Sequence, residues 1–399
     1  MRKSWADVAK PVGQGLSRWL AISHISAGFI AVLVGYTSSA AIVFQAAATA
    51  GATPAEISSW MWALGIGMGA TCIGLSLYFK TPVLTAWSTP GAALLITGLA
   101  GLSMSQAIGI FLFNSLLITI AGFSGWFEKL MRYVPKSLAA AMLAGVLLRF
   151  GMDVFVVLPT QGVLVGMMIV CYLIGRRFFP LYAVPCTFVL GLLVASAQGL
   201  LVFESISVQV AQPVFMAPTF VLSSLVGVGI PLFVVSMASQ NVPGLAVLRA
   251  NGYNTPASPL VGWTGLTGLV LAPFGGFSFN LAAITAAICM SKDSDPDPKR
   301  RYLAAIWAGV FYLFIGVFGA TVVSIFAAFP RALIVSIAGL ALLGTIGNGL
   351  AGALHEEKER EAALITFLVT ASGLSMFGIG SAFWGLLFGM ACAWINRRA

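Results

Sequence analysis

The sequence predicts an all-α polytopic membrane protein of about fourteen transmembrane segments, arranged as a seven-plus-seven inverted repeat. Three observations carry this expectation: a composition too apolar for water, a one-sided distribution of basic residues, and two interrupted segments at matching places in the two halves. Of 399 residues, 59% are hydrophobic and 8% charged, against about 25% charged in a soluble domain. Soluble enzymes, disordered chains and secreted disulfide scaffolds are thereby excluded. The 44 glycines suit close helix packing in lipid. The net charge of +9 comes from basic residues scattered singly and in pairs between apolar runs, which reads as orientation charge and not as a nucleic-acid stripe. Five cysteines (Cys72, Cys171, Cys186, Cys289, Cys392) lie inside apolar runs without CxxC spacing, so neither a disulfide framework nor a metal site is expected.

No cleavable leader is expected, and residues 1–18, with Trp5 and Lys10, should lie along the membrane surface. A span needs about 20 apolar residues. Punctuation by Gly, Pro and charge then gives apolar segments at 21–48, 55–79, 83–100, 104–121, 137–158, 161–177, 181–203, 219–243, 257–272, 274–291, 303–327, 331–353, 362–378 and 380–396. With a cytoplasmic N-terminus, the inner loops of this series collect nineteen of the 21 basic residues. Arg331 alone falls outside, and Arg149 lies within a span. One helix more or fewer would scramble that ledger, so both termini are expected inside.

Segments three and ten are not ordinary helices. In segment three, Pro82 and Pro90 bracket a Thr-, Val- and Trp-rich stretch that favours extended backbone. The Ala/Leu-rich run from Gly91 is about 15 Å of helix, half of a ~30 Å hydrocarbon core. In segment ten, Pro273, Gly275 and Gly276 preclude a helix, and Asn280 is expected to cap the short helix that follows. Extended backbone is expected through residues 83–88 and 274–278, with helices starting near 90–91 and 279–280. An odd number of spans per half inverts the second half relative to the first. Matching interrupted segments in inverted halves point to a transporter site at the midplane, where half-helix N-termini favour an anion or an acceptor. The plain alternative is a pair of kinked but continuous spans.

Other polar residues lie at the same depth. Ser236, Ser239 and Gln240 of segment eight are expected on one helical face, toward the protein interior, either as ligand contacts or as interhelical bonds. Tyr36 and Ser39 are weaker counterparts in segment one. Asp153 is the acid deepest in a span, with Arg149 one turn before it; the two either neutralise each other or make Asp153 functional. His24, at the start of segment one, has an unperturbed pKa suited to proton transfer. There is no GxSxG, no P-loop, no paired-carboxylate metal motif and no Cys/His cluster, so neither an enzyme nor a cofactor is expected.

The run from Pro231 to Tyr253, PLFVVSMASQNVPGLAVLRANGY, resembles the signature of the bacterial benzoate/proton symporter family (BenE type). The stretches Thr85–Gly91, Pro273–Asn280 and Ala139–Gly145 resemble it too, and the likeness covers essentially the whole chain. That family is similar in architecture to the uracil, xanthine and sulfate transporters. The resemblance implies a core domain from residues 19–121 and 218–328, and a gate domain from 122–217 and 329–399. It also implies proton-coupled import of benzoate or a similar aromatic carboxylate in the bacterial inner membrane, with a homodimer among the assemblies to be expected. The candidate substrate residues are Tyr36, Ser39, Trp87, Ser88, Thr89, Gly91, Ser236, Ser239, Gln240, Asn241, Phe277, Ser278, Phe279 and Asn280. The candidate proton carriers are His24 and Asp153. One departure stands out: the uracil-transporter relatives place glutamates where Gln240 and Phe279 stand here. The loss of negative charge suits an anionic substrate. The rival readings are a carrier of a nucleobase or inorganic anion on the same fold, and an anion channel.

Overall fold

Each apolar stretch of the sequence contains a helix, and the two interrupted stretches each form a short strand followed by a short helix. The computed structural model describes residues 21–125, 135–180, 182–202, 208–292, 294–374, 376 and 381–396. The expected interfacial segment 1–18 lies outside the described residues. The first half comprises α1 (Ile22–Thr49), α2 (Pro54–Phe79), β1 (Thr85–Trp87), α3 (Thr89–Gly98), α4 (Met104–Phe123), α5 (Lys136–Val157), α6 (Gly162–Phe178) and α7 (Ala183–Ala197). The second half opens with α8, a continuous rod of α-helical pieces Leu222–Ser224, Ile230–Ser236 and Val242–Ala250 joined by π-helical turns Leu225–Gly229 and Met237–Asn241. Then come α9 (Ala257–Leu271), β2 (Phe279–Leu281), α10 (Ile284–Met290), α11 (Tyr302–Val317), α12 (Gly319–Ala327), α13 (Arg331–Leu354), α14 (Arg360–Ala371) and α15 (Ser381–Asn396).

Among the described residues, seven helices are long and apolar enough to cross a membrane, or eight if α1, bent by 43° near Tyr36, counts as one span. Segment seven is shorter than its apolar run because the left-handed Gly199 (φ 65°) ends it. Segment eleven is likewise two helices, broken at Phe318.

The strands pair antiparallel, Thr85 opposite Leu281 and Trp87 opposite Phe279. Around this ribbon α2 packs on α11, α4 on α9, α5 on α13, α6 on α7 and α14 on α15. Exchanging the first seven segments with the second seven maps α2–α11 onto α9–α4 and α6–α7 onto α14–α15, and leaves α5–α13 and the ribbon on themselves. This is the pairing that a two-fold repeat gives. Small residues make the close crossings: a Cβ on Gly65 of α2 would run into the backbone of Gly316 on α11.

Segment three follows expectation, with helix from Thr89. Segment ten does not. Ala272–Phe274 form a 3-10 turn, and Gly275 then takes a left-handed conformation (φ 99°) with the Trp60 ring where a side chain would stand. The strand therefore starts only at Phe279 and the helix at Ile284. Asn280 sits within the strand and caps nothing; no side chain caps α10. An offset of 190 residues would align the serines Ser88 and Ser278 of the two interrupted segments, but they are spatial neighbours across the ribbon and not repeat mates. The strands correspond four residues further along.

Candidate functional site

Extended backbone inside a membrane has no water to satisfy it, so protein groups must. Beyond the ribbon's own bonds, Ser88 N–H donates to the Ser278 carbonyl (3.2 Å) and Ala282 N–H to that of Leu84 (2.9 Å). Sulfur serves the other edge of β1: Thr85 N–H meets Cys72 Sγ at 3.1 Å and Trp87 N–H meets Met68 Sδ at 3.2 Å, both from α2. On β2, Asn241 Oδ1 accepts from Leu281 N–H (2.9 Å), and Asn114 Nδ2 donates to the Phe277 carbonyl (3.1 Å). Three buried serines lock the crossing to α8. Ser236 Oγ donates to Ser88 Oγ (3.0 Å) and lies 3.0 Å from Ser278 Oγ, while Ser88 Oγ also accepts Gly91 N–H (3.0 Å) as the cap of α3.

A cavity of about 640 Å³ opens beside this crossing. Thr89 and Pro90 bring the N-terminus of α3 to it, and Ala282, Ala283 and Thr285 bring the start of α10. Trp87 forms an aromatic wall. Its indole N–H donates to Ser39 Oγ (2.8 Å), which donates onward to the Gly35 carbonyl (2.7 Å), and Tyr36 packs edge-on against it at 4.8 Å. Ser239 and Gln240 enter from α8. The far wall comes from α5, α6, α7 and α13, and includes Lys136 and Arg176. Among the described residues, no aspartate or glutamate lines the cavity.

Of the residues expected at the site, Ser39, Trp87, Thr89, Ser239 and Gln240 line this cavity, and Tyr36 stands behind Trp87. The others support it from inside the fold. The expected common face of Ser236, Ser239 and Gln240 is split by the π-helical turn Met237–Asn241: Ser236 joins the serine cluster, Asn241 turns to β2, and Ser239 and Gln240 reach the cavity. Such one-residue insertions often accompany functional sites. Gly91 is pressed between Leu232 and Ser88, with its N–H already bonded. Phe277 packs among Trp60 and Phe111, and Phe279 fills the space left by Gly67. Both rings and Asn280 are completely or almost completely buried away from the cavity, because large rings fill the gaps that glycines leave around β2.

The two candidate proton carriers fare differently. His24 is buried, with Nε2 2.8 Å from Asp295 Oδ2. Asp295 also accepts from Asp297 N–H (2.8 Å), and Arg300 stands 3.5 Å from it. Arg301 donates to the carbonyls of Asp295 and Met290, both at 2.8 Å, and so closes the C-terminus of α10. Burial pushes the Asp295 carboxyl up, but the Asp297 N–H bond, His24 and Arg300 outweigh it and hold the group below the usual carboxylate range. The sequence carries no local signal for this pair beyond the acidic residues before Lys299-Arg300-Arg301. Asp153 is half-buried near the end of α5, outside the cavity. The expected Arg149–Asp153 pair is not formed: Arg149 points outward, and no ion pair joins them among the described residues.

Residues 19–395 match the family model described as benzoate membrane transport protein. The chain belongs to that family. It is a multi-pass membrane transport protein and not an enzyme. It is 52% identical to the inner membrane protein YdcO of Escherichia coli (strain K12), over 92% of this chain and 94% of that one. It is 40% identical to the benzoate membrane transport protein of Acinetobacter baylyi (strain ATCC 33305 / BD413 / ADP1), over 94% and 95%. The fold resembles the transmembrane domain of a cyanobacterium bicarbonate transporter, BicA, with TM-score 0.62 and 14% identity over 93% of this chain and 97% of that one. It also resembles the murine anion transporter Slc26a9 in its inward-facing state, with TM-score 0.57 and 12% identity over 99% and 73%.

Proposed function

We propose that this protein imports benzoate, or a similar small aromatic carboxylate, together with a proton across the bacterial inner membrane. The observation that carries the reading is the cavity onto which the first turns of both half-helices open, walled by Trp87 and, among the described residues, free of acidic side chains. The first N–H groups of α10 have no side-chain cap, so they and the positive end of the helix dipole are available to a carboxylate. The carboxylate lies between Thr89 and Ala283, the ring lies on Trp87, and the Gln240 amide donates a hydrogen bond. Benzoate is ionised at neutral pH, and an inside-negative potential opposes an entering anion by about 2.3 kcal/mol per 100 mV. A co-moving proton cancels that charge.

Residues 19–121 and 218–328 form the moving core in this reading, with 122–217 and 329–399 as the gate. The cavity between them supports the division. Among the described residues no carboxylate or imidazole lines the cavity, and the substrate's own carboxylate and the His24–Asp295 pair are the proton carriers in this reading. The test is competition against labelled benzoate uptake: unlabelled benzoate should compete, and uracil, sulfate and bicarbonate should not. Competition by sulfate or bicarbonate equal to that by benzoate would sink the aromatic-acid reading.

A further inference from the structure

Two basic residues treated in the sequence as orientation charges face the cavity. Lys136 opens α5 and Arg176 stands in the last turn of α6, forty residues later, and both line the same space as Trp87, Thr89 and Gln240. Among the described residues neither makes a hydrogen bond or ion pair. A cation with no acidic partner among the described residues draws its counter-charge from solution or from a ligand.

Their placement departs from what membrane orientation alone requires. An arginine at a helix end ordinarily reaches outward to the headgroups. Arg176 and Arg177 are both exposed, but only Arg176 lines the cavity. Arg176 turns inward, one turn after the buried Tyr172 on the same face, and its guanidinium lies 3.7 Å from where a Cβ on Gly344 of α13 would stand. Lys136 sits in the first turn of a helix, where the dipole disfavours a cation. That turn carries no acidic residue and no side-chain cap. Glu359, near this end, is bonded to Ser137 Oγ and does not line the cavity. A local rule broken without a local partner marks a site with another purpose.

We propose that Lys136 and Arg176 form an anion-selecting site on the gate wall. It holds the substrate's negative charge between the half-helix N-termini and the cytoplasmic mouth of the cavity. This rests on the reading of the cavity as the substrate path, and it assigns anion preference to the gate as well as to the core. A carboxylate is retained there by charge-assisted bonds from a guanidinium and an ammonium, and a neutral amide of the same shape is not.

The experiment measures binding of benzoate, bicarbonate, sulfate and neutral benzamide to the purified full chain by titration calorimetry. The variants are Lys136→Gln, Arg176→Gln, the double variant, and the charge-keeping pair Lys136→Arg with Arg176→Lys. Each single change should weaken binding of the preferred anion about tenfold, and removing both charges more than that, by the ordinary worth of charged hydrogen bonds. The charge-keeping pair should stay within about threefold of the native protein, benzamide binding should not move, and the salt dependence of anion binding should shrink. Unchanged anion affinity in the double variant, or in both single variants if the double does not fold, overturns the proposal. An equal loss of benzamide overturns it too. If the native chain binds bicarbonate or sulfate but not benzoate, the substrate reading falls while the same variants still decide the cation site. Native protein that binds none of the three anions refutes both.

Discussion

Gln240 and Asn241 are adjacent carboxamides for which the structure predicts opposite consequences. Asn241 is fully buried, and its Oδ1 is the partner of the Leu281 N–H on β2. Asn241→Ala leaves that N–H buried without water, a loss of about 1–3 kcal/mol. Because β2 leads directly into α10, the ribbon and the start of α10 should loosen together. Gln240 makes no hydrogen bond within the protein among the described residues and faces the cavity. Gln240→Ala should leave stability within about 0.5 kcal/mol of native. It should weaken benzoate binding by roughly ten- to a hundredfold, because a hydrogen bond to a charged group is worth about 1.5–3 kcal/mol. Thermal unfolding of the purified variants and benzoate titration calorimetry read the two effects separately. An Asn241→Ala protein of native stability would refute the account of how β2 is held, and a Gln240→Ala protein of native affinity would remove Gln240 from the substrate path.

Asp153→Asn should retain uptake driven by a pH gradient, since Asp153 stands outside the cavity; loss of proton dependence alone, with binding intact, would make it the coupling residue. Ser236→Ala should lower thermal stability by about 0.5–1.5 kcal/mol by removing one bridge of the serine cluster, while benzoate affinity changes little in calorimetry. Asp295 contributes stability above its unfolded value of 3.8, which is lost as pH falls through the lower folded value. Asp295→Asn should therefore be less stable than native at neutral pH and show a flatter decline on acidification below pH 3.8. Parallel pH–stability curves for the two proteins would refute that assignment.

What was legible in the sequence is what local chemistry decides. Hydropathy and Pro/Gly punctuation place every apolar stretch, and Pro82 with Pro90 fixes the strand of segment three because neither ring tolerates a helix around Thr85–Trp87. Segment ten misled because its register depends on a distant contact: Gly275 turns left-handed around Trp60, 215 residues away, and shifts the helix start to Ile284. The π-helical turn at Met237–Asn241 has no composition signature, so Ser236 and Gln240 could not be separated by helical spacing. His24 and Asp295 are 271 residues apart. Lys136 and Arg176 were counted correctly as charges at segment ends, but a count carries no direction, and the direction places them at the cavity.

If the anion crosses with a proton, its uptake must follow the pH gradient. Proteoliposomes holding the purified chain, given labelled benzoate under an imposed gradient that is acidic outside, should accumulate it above the external concentration. That accumulation should collapse on adding a protonophore and be absent without the gradient. Benzoate that merely equilibrates, at a rate indifferent to the gradient, would contradict proton coupling and point to a passive anion pathway.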